Sequence, residues 1–216
     1  MQIVVTGAGS DLGQALLRAI VALPGLQRTD GTMAPVVRIL GVDRTQPPAL
    51  FVDDRIEYVR GEFEQPRFLA RVMGAATDSV FHLSARSAAV NVADDLDGLE
   101  LAWQRSVDTT RALLDACRYQ PVPPRVVYAA LGGLRGAAAD VPRDLAAACI
   151  DLCETVLAES ARRGRVDLRS VRLPAALDAA AAARALVAAH DWPGAAPALR
   201  VFELGAGGAL RPHAAG

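Results

Sequence analysis

A glycine-rich segment near the start of the chain has the residue types and spacing that can hold a phosphate group. A short apolar run leads into Thr6 to Gly13 (TGAGSDLG), where a helical pattern begins. In such a strand–turn–helix, one glycine permits the tight turn, one lets the backbone approach a pyrophosphate, and one lets the helix pack on the strand. About 30 residues later Asp43 ends a second apolar run, where a carboxylate can accept hydrogen bonds from an adenosine ribose and favours NAD over NADP. The segment predicts a dinucleotide-type fold whose loop either binds NAD or is inherited and binds nothing.

Lysine is absent from the chain. All 23 basic residues counted as Lys plus Arg are arginines. This excludes Schiff-base enzymes, P-loop NTPases with their phosphate-binding lysine, and any mechanism that needs a catalytic Lys.

Other reactive residue types do not form a recognised pattern. Cys149 and Cys153 lie four residues apart on a predicted helix with no His or second Cys pair nearby, so no metal site is expected. No nucleophile-elbow sequence of the form GxSxG is present. His82 and Tyr128 lie inside apolar runs, and we expect both to be structural. The odd number of cysteines, three, and the lack of a secretion signal predict a reduced, cytoplasmic setting.

The overall charge and hydropathy exclude two classes of partner. A net charge of −1 provides no basic field for nucleic acid or an anionic membrane surface. No apolar stretch reaches the roughly 18 uncharged residues that a membrane-spanning helix requires. A length of 216 residues suits one domain, which we place at residues 1–206 with a C-terminal tail at 207–216.

Short β-branched runs alternate with longer Ala- and Leu-rich runs along the chain. This pattern predicts an α/β fold with a Rossmann-type, doubly wound parallel sheet of about seven strands. Ligands in such sheets bind outside the carboxyl ends of the strands. The predicted strands are Gln2–Thr6, Val36–Val42, Arg55–Arg60, Ser79–Leu83, Arg125–Ala130, Asp167–Leu173 and Leu199–Leu204. The predicted helices are Asp11–Leu23, Gln65–Gly74, Asp94–Tyr119, Pro142–Arg163 and Leu177–His190.

Several segments resemble the NAD-dependent epimerase/dehydratase branch of the extended short-chain dehydrogenases/reductases, and in detail its D-erythronate dehydrogenase-like group. They are TGAGSDLG, GVD, RGEFEQP, FHLSA, RSVDTTRALLDACR and CETVLAESARRG followed by VRLP. The resemblance implies an NAD site whose residues here would be Gly7, Gly9, Ser10, Asp11, Leu12, Gly13, Asp43, Arg44, Glu62, Phe63 and Ser84. It also implies a homodimer that pairs through the long helices near 95–119 and 143–163.

The cofactor segments depart from the family pattern at four positions. Ser10 replaces the middle glycine, and Asp11 brings a negative charge toward the expected pyrophosphate, although an Asp near a helix N-terminus is also an ordinary cap. Glu62 stands where the family's Asp contacts adenine, and Ser106 stands where the family has Asn.

The catalytic residues of the family are missing. In that family a Tyr loses or shares its proton beside a Lys four residues later, and a Ser or Thr completes the set. The matching positions are Ala146, Ile150 and Leu131, all apolar. With Pro174 they predict a hydrophobic substrate pocket. The family's substrate-binding lobe, which follows the sixth strand, is expected to be largely deleted here.

The sequence is compatible with three functions. The first is a non-redox enzyme (isomerase, cyclase, dehydratase or lyase) acting on a small, largely apolar metabolite, with a role in natural-product biosynthesis. The second is a non-catalytic NAD(H)-binding or regulatory protein, and the third is an NAD-dependent oxidoreductase with a substituted acid. The candidate catalytic residues are Arg86, Arg135, Arg143 and Asp144.

Overall fold

A computed structural model describes most of the chain. The described residues are 1–44, 49–63, 65–74, 76–83, 100, 103–131, 145–164, 166–174, 177–194, 199–205 and 209–213. The strands are β1 (Gln2–Thr6), β2 (Leu26–Gln27), β3 (Met33–Ala34), β4 (Arg38–Asp43), β5 (Ile56–Arg60), β6 (Thr77–His82), β7 (Arg125–Leu131), β8 (Leu168–Leu173), β9 (Leu199–Leu204) and β10 (Leu210–Pro212). The helices are α1 (Asp11–Val21), α2 (Pro66–Val72), α3 (Thr109–Arg118), α4 (Leu145–Arg162) and α5 (Ala179–His190).

Eight of the strands form one sheet in the order β10-β9-β8-β7-β6-β1-β4-β5. Every neighbouring pair is parallel except β9 and β10. The predicted Rossmann-type sheet of about seven strands is therefore confirmed. Because β1 pairs with β4 on one side and β6 on the other, the strand order reverses at β1, and the carboxyl edge at this point is where sheets of this type bind their ligands.

Both faces of the sheet are covered by apolar side chains, as the uninterrupted β-branched runs require. In β1, Ile3 and Val5 point into the core that includes α1 and α5, while Val4 points into the core that includes α2, α3 and α4. The same alternation continues in β7, where Val127 belongs to the first core and Tyr128 to the second. Tyr128 is fully buried, which confirms its predicted structural position.

Three elements differ from the sequence prediction. The expected helix over Asp94–Tyr119 contains a π-helical turn, Gln104–Asp108, before α3, and residues 94–99 lie outside the described part. A two-strand hairpin, β2 with β3, follows α1 and was not predicted. The expected tail contains β10, which pairs with β9 in antiparallel register and adds the eighth strand.

Two buried arginines connect the amino edge of the sheet to the end of α5 and to the β2–β3 hairpin. Arg125 on β7 and Arg169 on β8 are 2% and 0% exposed. Both pair with Asp167, and both donate to the carbonyl oxygen of His190, the last residue of α5. Arg125 also donates to the carbonyl of Gln27 at 2.9 Å, so the same group holds the β2–β3 hairpin. The guanidinium groups thus satisfy carbonyls that the end of a helix leaves without partners.

Candidate functional site

The carboxyl edge of the sheet is the candidate site, because the strand order reverses there. The predicted positions Gly7–Gly13 follow β1, Asp43 and Arg44 end and follow β4, and Glu62 and Phe63 follow β5. Pro174 follows β8. These segments meet at one edge because parallel strands all end on the same side.

Two glycines shape the loop between β1 and α1. Gly7 has a φ of 69°, a left-handed conformation that glycine adopts without a steric cost. At Gly13 an added Cβ would lie 2.3 Å from the carbonyl oxygen of Gly7 and 2.7 Å from the Cα of Ala8. Only glycine allows α1 to begin this close to the strand. Gly7 thus has the role predicted for a glycine in the tight turn, and Gly13 the role predicted for close packing of the helix on the strand.

Ser10 is the N-cap of α1. Its hydroxyl accepts a hydrogen bond from the Gly13 amide at 3.0 Å and donates one to the Gly7 carbonyl at 2.8 Å. Asp11 follows as the first helical residue, and it is exposed. The residue that replaces the family's middle glycine therefore links the two ends of the loop, and the exposed Asp11 carboxylate lies beside it.

Asp43 also holds the loop closed. One carboxylate oxygen accepts from the Gly9 amide at 2.8 Å, and the other accepts from the Arg44 amide at 2.7 Å. The carbonyl of Arg44 in turn accepts from the side chain of Arg60, on β5, at 3.0 Å. Asp43 thus lies at the place expected for ribose recognition while it bridges β4 to the glycine loop.

Gln14 on α1 anchors the loop to the segment before β5. Its amide nitrogen donates to the Ala8 carbonyl at 2.7 Å and to the Tyr58 hydroxyl at 3.2 Å, and its amide oxygen accepts from the Phe51 amide at 2.6 Å. The Tyr58 hydroxyl donates to the Phe51 carbonyl at 2.7 Å. Both hydrogen-bonding ends of Gln14 and the hydroxyl of Tyr58 are therefore used for structure.

The side chains of three residues predicted to contact a cofactor contact other parts of the protein. The Leu12 side chain lies in the core on the α1 face, so only its backbone can face a ligand. Phe63 is buried and packs edge-to-face on Phe68 with ring centres 5.7 Å apart. Glu62 is exposed and accepts a long hydrogen bond from Gln65 at 3.4 Å.

A chain of buried polar side chains runs from β1 through β6 to α3, and the sequence pattern does not indicate it. Thr6 and His82 are register partners on β1 and β6, and the Thr6 hydroxyl lies 2.8 Å from Nδ1 of His82. Nε2 of His82 lies 2.9 Å from the Thr110 hydroxyl, which donates to the Ser106 carbonyl at 2.6 Å. The only signal in the sequence was two polar residues at matching ends of two buried strands.

The contacts of His82 suit a neutral imidazole. The Thr6 hydroxyl accepts from the Leu83 amide at 3.0 Å and lies 2.8 Å from Nδ1 of His82. The Thr110 hydroxyl has two acceptors for its proton, the Ser106 carbonyl at 2.6 Å and Sγ of Cys153 at 3.6 Å, so its oxygen is placed to accept from a protonated Nε2. His82 is then a neutral imidazole, in agreement with the burial that lowers its pKa from 6.5 to about 4. The expectation that His82 is structural is supported.

Tyr128 lies next to this chain without joining it. Its hydroxyl is fully buried and makes no hydrogen bond of good geometry among the described residues, with the Cys153 thiol beside it. Burial, together with the neighbouring Cys153, raises its pKa well above 10. Burial likewise raises the pKa of the Cys153 thiol. Neither group can ionise near neutral pH in this position.

The opposite side of the carboxyl edge is described in part. Leu131 ends β7 and Ala146 lies in the first turn of α4, but their side chains lie outside what the structure describes. Ile150, one turn further along α4, is 8% exposed and packs into the core beside the sheet. The predicted residues Ser84, Arg86, Arg135, Arg143 and Asp144 lie outside the described residues.

A second polar cluster at the amino edge has the connectivity of a serine hydrolase triad. The Ser79 hydroxyl lies 2.8 Å from Nε2 of His190, and Nδ1 of His190 lies 2.7 Å from the Asp191 carboxylate. Ser79 and His190 are 1% and 0% exposed, however, and Asp191 also accepts from the Gln27 amide at 3.0 Å. Burial lowers the pKa of His190 against the opposing effect of Asp191. The cluster joins β6, α5 and the hairpin, and no substrate reaches its hydroxyl.

Comparison with known proteins gives the ancestry of the chain. No family model matches it. It is 30% identical to D-erythronate dehydrogenase of Cupriavidus necator and 25% identical to that of Haemophilus influenzae, each over 183 residues and 81% of this chain. The chain is a relative of the extended short-chain dehydrogenases/reductases. It spans about half the length of these curated relatives, 55% and 54%.

Solved structures share the fold of this short-chain dehydrogenase relative. MoeE5 in complex with UDP-glucose and NAD superposes with a TM-score of 0.69 at 19% identity, over 98% of this chain and 78% of MoeE5. The Bordetella bronchiseptica enzyme WbmF in complex with NADH gives a TM-score of 0.70 at 13% identity, over 98% and 73%. These likenesses confirm the Rossmann-type fold, and both neighbours hold a nicotinamide cofactor.

The loop of this chain fits only one half of such a cofactor. On the ribose side, Asp43 ends β4 at the expected position. On the pyrophosphate side, the Gly13 amide already donates to Ser10, the Gly9 amide already donates to Asp43, and the Asp11 carboxylate is exposed at the start of α1. Two backbone donors of the loop are therefore occupied by side chains of this chain, and the Asp11 carboxylate opposes a bound pyrophosphate.

Two further absences apply to the described part of the chain. No group of three or more metal-ligating side chains lies together there. No helix among these residues combines the length and the apolar character of a membrane-spanning segment.

Proposed function

We propose that this short-chain dehydrogenase relative works without hydride transfer, as a non-redox enzyme on a small, largely apolar metabolite bound at the carboxyl edge. Isomerase, cyclase, dehydratase and lyase reactions all fit this description. The observation that carries the proposal is the position of the tyrosines in a chain that contains no lysine.

None of the three tyrosines is placed to act as the acid of a reductase. The Tyr58 hydroxyl is bound to the Phe51 carbonyl and to Gln14 on the outer side of α1. Tyr119 follows the end of α3 and is 74% exposed. Tyr128 is enclosed in the core, where burial raises its pKa. A phenolate near neutral pH would need a fixed cation beside it, and no lysine exists to supply one.

The apolar positions around the carboxyl edge support an apolar substrate. Leu131 and Ala146 occupy the places that correspond to the family's Ser and Tyr. Ile150, at the place of the Lys, packs into the core and does not line the predicted pocket. A pocket of this kind accelerates a reaction chiefly by holding one conformation of the substrate and excluding water. Arg86, Arg135, Arg143 and Asp144 are the groups that we propose for charge stabilisation and proton transfer.

The proposal extends to the setting of the protein. The three cysteines are free and buried, which supports a reduced, cytoplasmic environment. A role in natural-product biosynthesis follows from the apolar pocket that we propose. Neighbouring genes for polyketide or similar assembly lines would support it, whereas genes of sugar catabolism would favour an inherited relic.

The mass balance of the reaction tests the proposal. The full chain is incubated with a metabolite extract, with and without added NAD+, and the products are followed by mass spectrometry. An isomerase or cyclase leaves the mass unchanged, a dehydratase removes one water, and a lyase splits the molecule. A product that differs from its substrate by two hydrogen atoms, formed together with NADH, would contradict the proposal.

Variants of the proposed groups test the site. Arg86→Ala and Asp144→Ala should each reduce the detected conversion by about 100-fold, the usual effect of removing a general acid, base or charge-stabilising group. Arg184→Ala, an exposed residue on α5, serves as the control. Full activity in both site variants would show that the chemistry lies elsewhere.

A non-catalytic NAD(H)-binding or regulatory role is the second candidate. The left-handed Gly7, the close contact at Gly13 and the position of Asp43 are features of a dinucleotide fold that this chain retains. The third candidate is an oxidoreductase with a substituted acid, which the names of the curated relatives favour. Consumption of no metabolite would support the second candidate, and formation of NADH would support the third.

A further inference from the structure

We infer that the glycine loop of this chain excludes the pyrophosphate of a dinucleotide, and that Ser10 and Asp11 are the residues that exclude it. This exclusion is a property of the loop alone, whether or not the protein is an enzyme.

Ser10 occupies a donor that a phosphate would use. The free amides at the start of a helix are the groups that bind anions in this type of fold. Here the Gly13 amide donates to Oγ of Ser10 at 3.0 Å, and the same hydroxyl donates its proton to the Gly7 carbonyl at 2.8 Å. A phosphate oxygen could reach the Gly13 amide only by breaking the serine cap.

Asp43 occupies a second donor of the loop. The Gly9 amide donates to its carboxylate at 2.8 Å. A carboxylate has therefore taken one of the backbone donors that a bound anion would use, and it adds a negative charge on the β4 side of the loop. An incoming phosphate would have to displace the Asp43 carboxylate from the Gly9 amide, and the negative charge of that carboxylate would repel it.

The negative charge of Asp11 opposes the positive electrostatic potential at the N-terminal end of α1. The start of a helix carries the equivalent of about half a positive charge, which is what normally attracts a phosphate. The Asp11 carboxylate is exposed in the first turn of α1, so a full negative charge stands at this point. The carboxylate stabilises α1, and the same interaction removes the attraction for a second anion.

Binding of three ligands to wild type and to variants of Ser10 and Asp11 tests the inference directly. The full chain is titrated calorimetrically with adenosine, ADP-ribose and NAD+ at one low ionic strength. Wild type is compared with Ser10→Gly, Asp11→Asn and the double variant. Glycine is well tolerated at an N-cap, and residue 11 is exposed, so these variants should fold. Circular dichroism and thermal unfolding check that they do.

Wild type should bind ADP-ribose no more tightly than adenosine, because the phosphates gain nothing at the loop. The double variant should bind ADP-ribose and NAD+ at least about tenfold more tightly than wild type does, while its affinity for adenosine stays the same. Asp54→Asn, which neutralises an exposed acid before β5 at the opposite edge, should change none of these affinities.

Two results would overturn the inference. One is a wild-type chain that already binds ADP-ribose much more tightly than adenosine. The other is a folded double variant, or a folded Asp11→Asn variant, that binds ADP-ribose no better than wild type. Tight NAD+ binding by wild type would leave the proposed function standing, since that proposal is judged by the mass balance of the reaction.

Discussion

The phenol group of Tyr128 is enclosed by the core between β7 and α4, and its hydroxyl makes no hydrogen bond of good geometry among the described residues. A buried hydroxyl without a hydrogen bond costs stability, because it gives up its contacts with water and gains none in return. Removing the oxygen should therefore cost nothing.

Tyr128→Phe is expected to leave the free energy of unfolding unchanged or to raise it by up to about 1 kcal/mol, measured by urea denaturation. Tyr58→Phe is the matched control, since it deletes a hydroxyl that bonds to Phe51 and Gln14. The control should lose about 1 kcal/mol. A clear loss of stability in Tyr128→Phe would mean that the hydroxyl has a partner.

His82 should make the stability of the protein depend on pH. Burial lowers its pKa from 6.5 to about 4, so the unfolded chain binds a proton in this window and the folded chain does not. The free energy of unfolding should then be intact above pH 6.5 and fall as the pH drops toward 4. The loss should be about 2 kcal/mol between pH 7 and pH 5.

Urea denaturation at several pH values measures how the free energy of unfolding depends on pH, and this dependence should be weaker in His82→Gln. His190 contributes in the same direction because burial lowers its pKa too, so part of the slope remains in the variant. An unchanged slope in His82→Gln would show that the imidazole is not held neutral.

Much of the residue-scale picture could be predicted from the sequence, but not the loop closure. The spacing of Gly7, Gly13 and Asp43 identifies the turn and the end of the second strand. It does not reveal that Asp43 accepts from the Gly9 amide or that Ser10 caps Gly13, because both contacts depend on the distance between β4 and the loop. The buried arginines were missed for a related reason, since charged residues in strands usually face solvent.

At the scale of elements, the two buried arginines connect β7, β8, α5 and the hairpin. Arg169 donates to the carbonyls of Ala189, His190 and Trp192, all at the C-terminal end of α5. Desolvation lowers the pKa of this arginine, and Asp167 opposes the shift. The side chain therefore replaces the water that would otherwise solvate the end of the helix.

Arg169→Met is expected to lower the free energy of unfolding by about 3 kcal/mol, because several buried carbonyls lose their donor. Arg184→Met on the exposed face of the same helix should change it by less than about 0.5 kcal/mol. Chemical denaturation of both variants gives the comparison. Equal stability of the two would show that water or Arg125 takes over these carbonyls.

The long periodic elements were predictable because each repeats one pattern over many residues. The β2–β3 hairpin was not, since strands of two residues carry no period. The π-helical turn before α3 shares its side-chain types with an ordinary helix and differs in its backbone bonds, such as that from the Thr109 amide to the Gln104 carbonyl five residues earlier.

At the scale of the whole molecule, a groove between α3 and α4 marks the face through which we propose that two copies pair. It has a volume of about 320 Å³, and its lining alternates charge with Leu114 and Val156. Leu152 lies one helical turn from Val156 on the same face of α4 and is 36% exposed. Apolar side chains flanked by both signs of charge suit a self-complementary interface.

Leu152→Glu is expected to shift the protein toward the monomer, weakening self-association at least about tenfold, because two carboxylates would meet across a symmetric interface. Analytical ultracentrifugation over a concentration series measures the change. Val37→Glu, at an exposed position before β4, is the control. A monomeric wild type, or a variant that associates as strongly as wild type, would contradict this pairing.

The hydrogen bonds that join Ser79, His190 and Asp191 show how an enzyme can be misidentified from geometry. A search that scores only the distances between a hydroxyl, an imidazole and a carboxylate would report this protein as a serine hydrolase. The same distances arise here because Ser79 and His190 are buried and satisfy one another, while the partly exposed Asp191 binds the other imidazole nitrogen. What separates a nucleophile from a structural hydrogen bond is whether a second molecule can reach the oxygen, and Ser79 is 1% exposed. Exposure of this serine in a related chain would present solvent with a ready-made hydrolytic arrangement.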